Sequence, residues 1–235
     1  MNLSKSFSVL IAAFLLSSCA QTAWVHKDFD SIKPNIDTVT ILFPEIEFSE
    51  IDGDVKEIKP AYSVFVSNNV ADVLKEIIDE GIFAPKYATI LCDSFVVGRW
   101  IQNRYSNTRS QYNLLRESIR SSHNDKKTMR LTPEFRSIMD NVHTEYFILV
   151  TGLAFGTSEN TKREDMMQAE TFELLYDHAF SYNYQWNGLQ LQIALINVKT
   201  MEILWYNRNS ERDSKYNPAK KEEVKDLCVK LLNPK

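Results

Sequence analysis

The sequence predicts an α+β fold: a mixed, largely antiparallel sheet with helices packed on one face. Three observations carry that prediction. Residues 146–155 are apolar at nearly every position, as in a strand covered on both faces. Residues 189–195 alternate apolar and polar with the period of two of a half-buried strand. Residues 63–80 and 219–232 instead repeat apolar side chains at helical spacing. The order is strand, helix, strand, helix, three or more strands and a final helix, which suits a layer of helices on a sheet.

Taken in chain order, residues 37–43 (Asp-Thr-Val-Thr-Ile-Leu-Phe) are β-branched and predict a strand ended by Pro44. Residues 45–59 carry six carboxylates against Lys56 and Lys59 and read as an exposed acidic loop. Within it Asp52-Gly53-Asp54 lacks the further ligands of a calcium loop and reads as a solvated turn. Residues 63–80 form the clearest helix, with Val66, Val70, Val73, Leu74 and Ile77 on one stripe and Gly81 at the C-terminal cap. Residues 82–91 are expected to be extended. Residues 93–108 satisfy neither period, residues 111–121 read as helix, and Thr132-Pro133 opens a short helix ending near His143.

Residues 158–168 are polar and read as a loop. Residues 180–186 alternate aromatic and polar side chains up to Asn187-Gly188, a strong two-residue hairpin signal. A turn there pairs Trp186 with Leu189, Tyr184 with Leu191, Tyr182 with Ile193 and Phe180 with Leu195, all on one face. The other face pairs Gln185 with Gln190 and Asn183 with Gln192. A second turn at residues 199–202 leads to a strand over 203–207, and Val224, Leu227, Cys228 and Leu231 line the last helix.

The N-terminus carries a different kind of information. Lys5 precedes a ten-residue run that is almost wholly apolar, residues 7–16, and small residues then lead to a cysteine in Leu16-Ser17-Ser18-Cys19. This is the layout of an export signal, and ten residues fall short of the roughly 20 needed to span a bilayer. Leu16-Ser17-Ser18-Cys19 resembles the lipobox of bacterial lipoproteins. That resemblance implies cleavage before Cys19 and acylation, such as palmitate, on Cys19. Residues 1–18 are then a signal peptide, residues 19–36 a lipidated N-terminus and tether, and residues 37–235 one domain with insertions near 93–132 and 157–187. A hydrophobic fraction of 44% and a charged fraction of 25% suit a packed core, and the net charge of −4 selects no class of partner.

On a lipobox protein, the element order resembles periplasmic lipoproteins related to the curli-secretion lipoprotein and the penicillin-binding-protein activator lipoprotein. It also resembles the N-terminal domain of the Tol translocation protein TolB. The residues that carry the resemblance are Val39-Thr40-Ile41-Leu42-Phe43-Pro44, the helix over 67–74, and the strand over 146–152. The most specific is the hairpin Leu195-Ile196-Asn197-Val198-Lys199-Thr200-Met201-Glu202-Ile203-Leu204-Trp205, in which Met201 stands where those families usually have glycine. The resemblance implies an adaptor, activator or secretion subunit of the envelope.

Reactive chemistry has little support in the sequence. His26, His123, His143 and His178 show no metal-ligand spacing, so neither a metal nor a cofactor is expected. Six glycines include no phosphate-binding loop, and no serine sits in a nucleophile elbow. Cys92 and Cys228 have two readings, a disulfide or two buried thiols, and the second is preferred. The charge asymmetry lies between residues 99 and 136, where Arg99, Arg104, Arg109 and Arg116 alternate with Trp100, Tyr105 and Tyr112. In an envelope protein this stretch suits a protein face, peptidoglycan or lipid headgroups more than nucleic acid. It has two readings, a solvated insertion paired with the acidic loop 45–57 or a partner-binding surface. The aromatic face of Phe180, Tyr182, Tyr184 and Trp186 reads as core in preference to an exposed groove. The expectation is a lipid-anchored, periplasm-facing outer-membrane protein that binds another envelope component without catalysis. The alternative is an envelope hydrolase whose triad is scattered through the sequence.

Overall fold

Thr38-Val39-Thr40-Ile41-Leu42 and the apolar run from Tyr146 onward lie side by side at the centre of an eight-stranded sheet. The computed structural model describes residues 23–83, 85–91, 142–176, 186–209 and 215–233. Its strands are β1 (Trp24–Val25), β2 (Thr38–Leu42), β3 (Glu45–Asp52), β4 (Val55–Ile58), β5 (Tyr87–Leu91), β6 (Tyr146–Thr157), β7 (Asn187–Asn197) and β8 (Ile203–Arg208). They run in the order β1-β8-β7-β6-β2-β5, with β3 beside the far half of β6 and β4 beside β3. The pairings β1–β8, β8–β7, β7–β6 and β3–β4 are antiparallel; β6–β2, β6–β3 and β2–β5 are parallel. The fold is α+β with a mixed, mostly antiparallel sheet, as the sequence predicts.

β2 ends just before Pro44, as the sequence predicts, and β3 begins just after it on the same side of β6. β2 pairs Ile41 with Ile148, and β3 resumes by pairing Glu45 with Thr151, so four residues face three and the register shifts by one. Proline cannot donate to the ladder and sits here at a bulge, where one strand carries an extra residue. Residues 45–59 are therefore not an acidic loop. Ile46 and Phe48 alternate with Glu45, Glu47 and Ser49 along β3, and Gly53, at φ +57°, turns the chain into β4.

The helices are α1 (Phe29–Ile32), α2 (Pro60–Asp79), α3 (Glu159–Tyr176) and α4 (Lys221–Leu232). α2 and α4 bury Val66, Val70, Leu74, Val224 and Leu227 on the sheet face that carries Val39, Ile41, Ile148, Val150 and Leu191. Gly81, at φ +74°, ends α2: its N–H donates to the Ile78 carbonyl at 2.8 Å, and the Ile82 N–H to Ile77 at 3.1 Å. This pair of bonds is a Schellman cap, so the expected glycine has its expected role. Leu42, Phe147, Leu149, Ala194, Ile196 and Tyr206 form a second apolar cluster on the opposite face.

Two buried serines in α2 complete β3. Before β4 begins, the outward N–H groups of Ile46 and Phe48 donate to Ser67 Oγ at 3.3 Å and Ser63 Oγ at 2.9 Å. Ser63 Oγ also donates to the Lys59 carbonyl at 3.0 Å. Asn209 does the same for β7: its Oδ1 accepts the Leu191 N–H at 2.7 Å and its Nδ2 donates to the Leu189 carbonyl at 2.9 Å. A buried backbone group left unpaired costs about 1–3 kcal/mol, which makes these side chains part of the sheet.

Three further expectations are corrected. Asn187-Gly188 is not a hairpin turn; both residues are in β7, opposite Gly156 and Phe155 of β6. β6 occupies one edge of β7, while β8 and Asn209 occupy the other; the strand expected over residues 180–186 lies, but for Trp186, outside the described residues. Leu189, Leu191, Ile193 and Leu195 do share the core face. Residues 159–168 belong to α3, not to a loop, with Ser158 Oγ accepting the Thr161 N–H at 3.2 Å in the manner of an N-cap. Residues 24–36 are not a tether. β1 pairs Trp24 with Tyr206 and Val25 with Trp205, and Phe29 and Ile36 are buried in the main core. Burying two such side chains contributes about 3–6 kcal/mol, enough to hold this segment on the domain.

The turn into β8 has the predicted shape. Asn197 Oδ1 accepts the N–H groups of Lys199 and Thr200, both at 2.9 Å, and Met201 takes φ +58° where the resembled hairpins use glycine. Met201 is also buried in the second cluster, which offsets its backbone strain.

Candidate functional site

Cys19 and the partner-binding candidates Arg99, Trp100, Arg104, Tyr105, Arg109, Tyr112 and Arg116 lie outside the described residues, as do Phe180, Tyr182 and Tyr184. So do the helices expected over 111–121 and after Thr132-Pro133, and Cys92. Trp186 is half-buried, and its carbonyl accepts the Thr157 N–H at 2.7 Å, extending the β6–β7 ladder by one bond. Cys228 is a free, buried thiol, and burial pushes its pKa up to about 12. It is a core side chain with no thiolate to offer at neutral pH.

Two surfaces among the described residues have the character of a binding site. One is the end of the sheet's second face beyond its apolar cluster. Register places Glu45, Thr151, Gln192 and Arg208 in one row across four strands. Glu47, Leu153 and Gln190 form the next row. Tyr206 Oη donates to Gln192 Oε1 at 3.1 Å. Glu47 and Ser49 are buried, whereas Leu153 is 42% exposed. Carboxylates, amides and a guanidinium thus share one face, part-buried and with partners within the fold.

The other surface lies where α2 starts, above β3. Phe48 and Tyr62 have ring centroids 4.3 Å apart, and Tyr62 and Phe65 5.3 Å. Phe48 is buried, but Tyr62 and Phe65 are 39% and 43% exposed. A Cβ on Gly156 would lie 3.0 Å from Cζ of Phe48, so a glycine on β6 leaves room for that ring. Scattered apolar exposure is ordinary, but three rings in successive tilted contact give a partner a rigid platform.

The adjoining polar groups serve the fold. Ser158 and Thr161 both donate to Asp52 Oδ1, and Gly53 N–H donates to Thr161 Oγ1 at 2.8 Å, tying the β3–β4 turn to α3. The Ser158 hydrogen bond, then that of Thr161, lowers the Asp52 pKa below the ordinary carboxylate range. Lys59 bridges Glu57 at 2.8 Å and Glu50 at 3.1 Å, and these carboxylates raise its pKa.

His26 is buried, and its Nδ1 accepts the Asp28 N–H at 3.2 Å, so this ring serves a turn before α1. Among the described residues no group of three or more His, Cys, Asp or Glu side chains is placed to hold a metal ion. Among them, too, no helix is long and apolar enough to cross a membrane.

Neither surface is visible when residues 45–59 are read as a loop, because both depend on β3. The signal was present: Glu45-Ile46-Glu47-Phe48-Ser49 alternates with the period of a strand. Comparisons of the chain with family models, with curated proteins and with solved structures return no match.

Proposed function

We propose that this protein is a lipid-anchored binding or adaptor lipoprotein of the bacterial cell envelope. In this reading it is held in the outer membrane by acylated Cys19, faces the periplasm and carries out no catalysis. The observation that carries the reading is the N-terminal pattern of Lys5, ten largely apolar residues and Leu16-Ser17-Ser18-Cys19. Its support within the domain is the exposed aromatic platform of Tyr62 and Phe65.

The partner is another envelope protein or peptidoglycan. The proposed contact surface is Arg99, Arg104, Arg109 and Arg116 with Trp100, Tyr105 and Tyr112, because arginine and aromatic side chains dominate protein-binding hot spots. Crosslinking in cells tests it. Wild-type protein should capture a defined envelope partner, and the Arg104→Glu, Arg109→Glu, Arg116→Glu triple variant should lose it while remaining folded. Undiminished capture by the triple variant overturns this surface. Hydrolysis of an envelope substrate, abolished by replacing a single serine or histidine, would establish the hydrolase alternative instead.

A further inference from the structure

We infer that the lipid anchor holds the β1–β8 edge of the sheet against the bilayer headgroups and turns the β4–β5 edge away from the membrane. The inference rests on Cys19 being the acylated residue.

Five residue steps separate Cys19 from Trp24, and fully extended chain covers at most about 18 Å in five steps. At Trp24 the chain is already committed to the sheet, because Trp24 and Val25 pair with Tyr206 and Trp205. The His26 N–H donates to the Leu204 carbonyl at 2.9 Å, and Phe29 is buried in the core. Five strand spacings lie between β1 and β5, or about 24 Å. Were the β5 edge to face the bilayer, Trp24 would stand about 24 Å above it, beyond the reach of an acylated Cys19. That orientation is closed to the molecule. Contact through the β1 edge needs the shortest span.

The side chains at this edge suit the headgroup layer. Val25 is 48% exposed beside the part-buried Trp24, and an indole beside an apolar neighbour favours the interface. Exposed Lys27 and Lys33 are balanced by exposed Asp28 and Asp30, so charge neither draws this edge down nor repels it. The span sets the orientation, and the aromatic platform of Phe48, Tyr62 and Phe65, built on β3 and α2, lies on the side of β6 away from β1.

Quenching by lipid tests the inference. Full-length acylated protein is reconstituted into phosphatidylethanolamine/phosphatidylglycerol vesicles containing a headgroup-nitroxide lipid. It carries a fluorescent amino acid at position 27 or, in a second protein, at position 56 of β4; both positions are exposed. Quenching at 27 should exceed quenching at 56 several-fold. An insertion of about 20 Gly/Ser residues after Ala20, with an r.m.s. span of roughly 25 Å, should bring the two close to equal. Co-sedimentation with vesicles but equal quenching, or stronger quenching at 56, overturns the orientation and leaves the anchor standing. A contrast that survives the insertion overturns the short span as its cause. Failure of the wild-type protein to co-sediment overturns the anchor, and the orientation with it.

Discussion

Ser63 Oγ accepts the N–H of Phe48 and donates to the carbonyl of Lys59, so a single hydroxyl serves two backbone groups where the edge of β3 away from β6 is not yet paired with β4. Ser63→Ala should cost about 1–3 kcal/mol, since the Phe48 N–H stays buried without its acceptor. Urea denaturation reads the cost, and an unchanged midpoint with unchanged slope would contradict it. Ser67 is the milder case, with a longer bond of 3.3 Å to the Ile46 N–H. The apolar stripe of α2 was legible from Val66, Val70 and Leu74. The serines interleaved with it were not, because a hydroxyl on an apolar stripe shows its value only beside the backbone it serves. Met201 was legible in the opposite sense: the hairpin pattern asks for glycine at that place, and the backbone there does adopt a positive φ.

At the scale of elements, periodicity marked the strands well and their partners less well. The alternation in residues 189–195 was read correctly onto the core face, but the Asn-Gly pair before it pointed to the wrong neighbour. Gly188 is in β7 because Phe155 lies across from it, with its ring in the space a side chain would fill. A double-mutant cycle separates this arrangement from a turn. Gly188→Ala should destabilise the wild type by about 1–3 kcal/mol through collision with the ring, and much less in a Phe155→Ala background. A glycine required by a hairpin turn would carry the same penalty in both backgrounds.

The α2–α4 contact makes a separate prediction, in pH. Glu76 bridges Lys225 at 2.7 Å and Lys221 at 2.9 Å, and these ammonium groups lower its pKa to about 2. A carboxyl held below its unfolded value stabilises the fold above the usual carboxylate range and loses that contribution as pH falls toward 2. Thermal unfolding of Glu76→Gln should therefore differ from wild type at neutral pH and approach it in acid. Because the bridge is exposed, high salt should shrink the neutral-pH difference. A gap that widens in acid would contradict the assignment.

For the whole molecule, the architecture was legible in the sequence, whereas the site was not. The proposed export signal rests on composition and order alone, from Lys5 through Cys19. The sheet follows from periods of two and helical spacing. The aromatic platform depends on β3 lying under α2, and only tertiary packing brings Phe48 to Tyr62. Folding of residues 24–36 onto the domain leaves the proposed anchor at Cys19 only five residue steps from the sheet, in place of the long tether expected from sequence. The central claim is that this domain is held at a membrane by lipid on Cys19. Intact-mass analysis of the protein extracted from cell membranes tests it most directly. The account predicts a chain that begins at Cys19, lacks residues 1–18 and carries added acyl mass on its first residue. A chain that retains residues 1–18, or one with an unmodified Cys19, would contradict it.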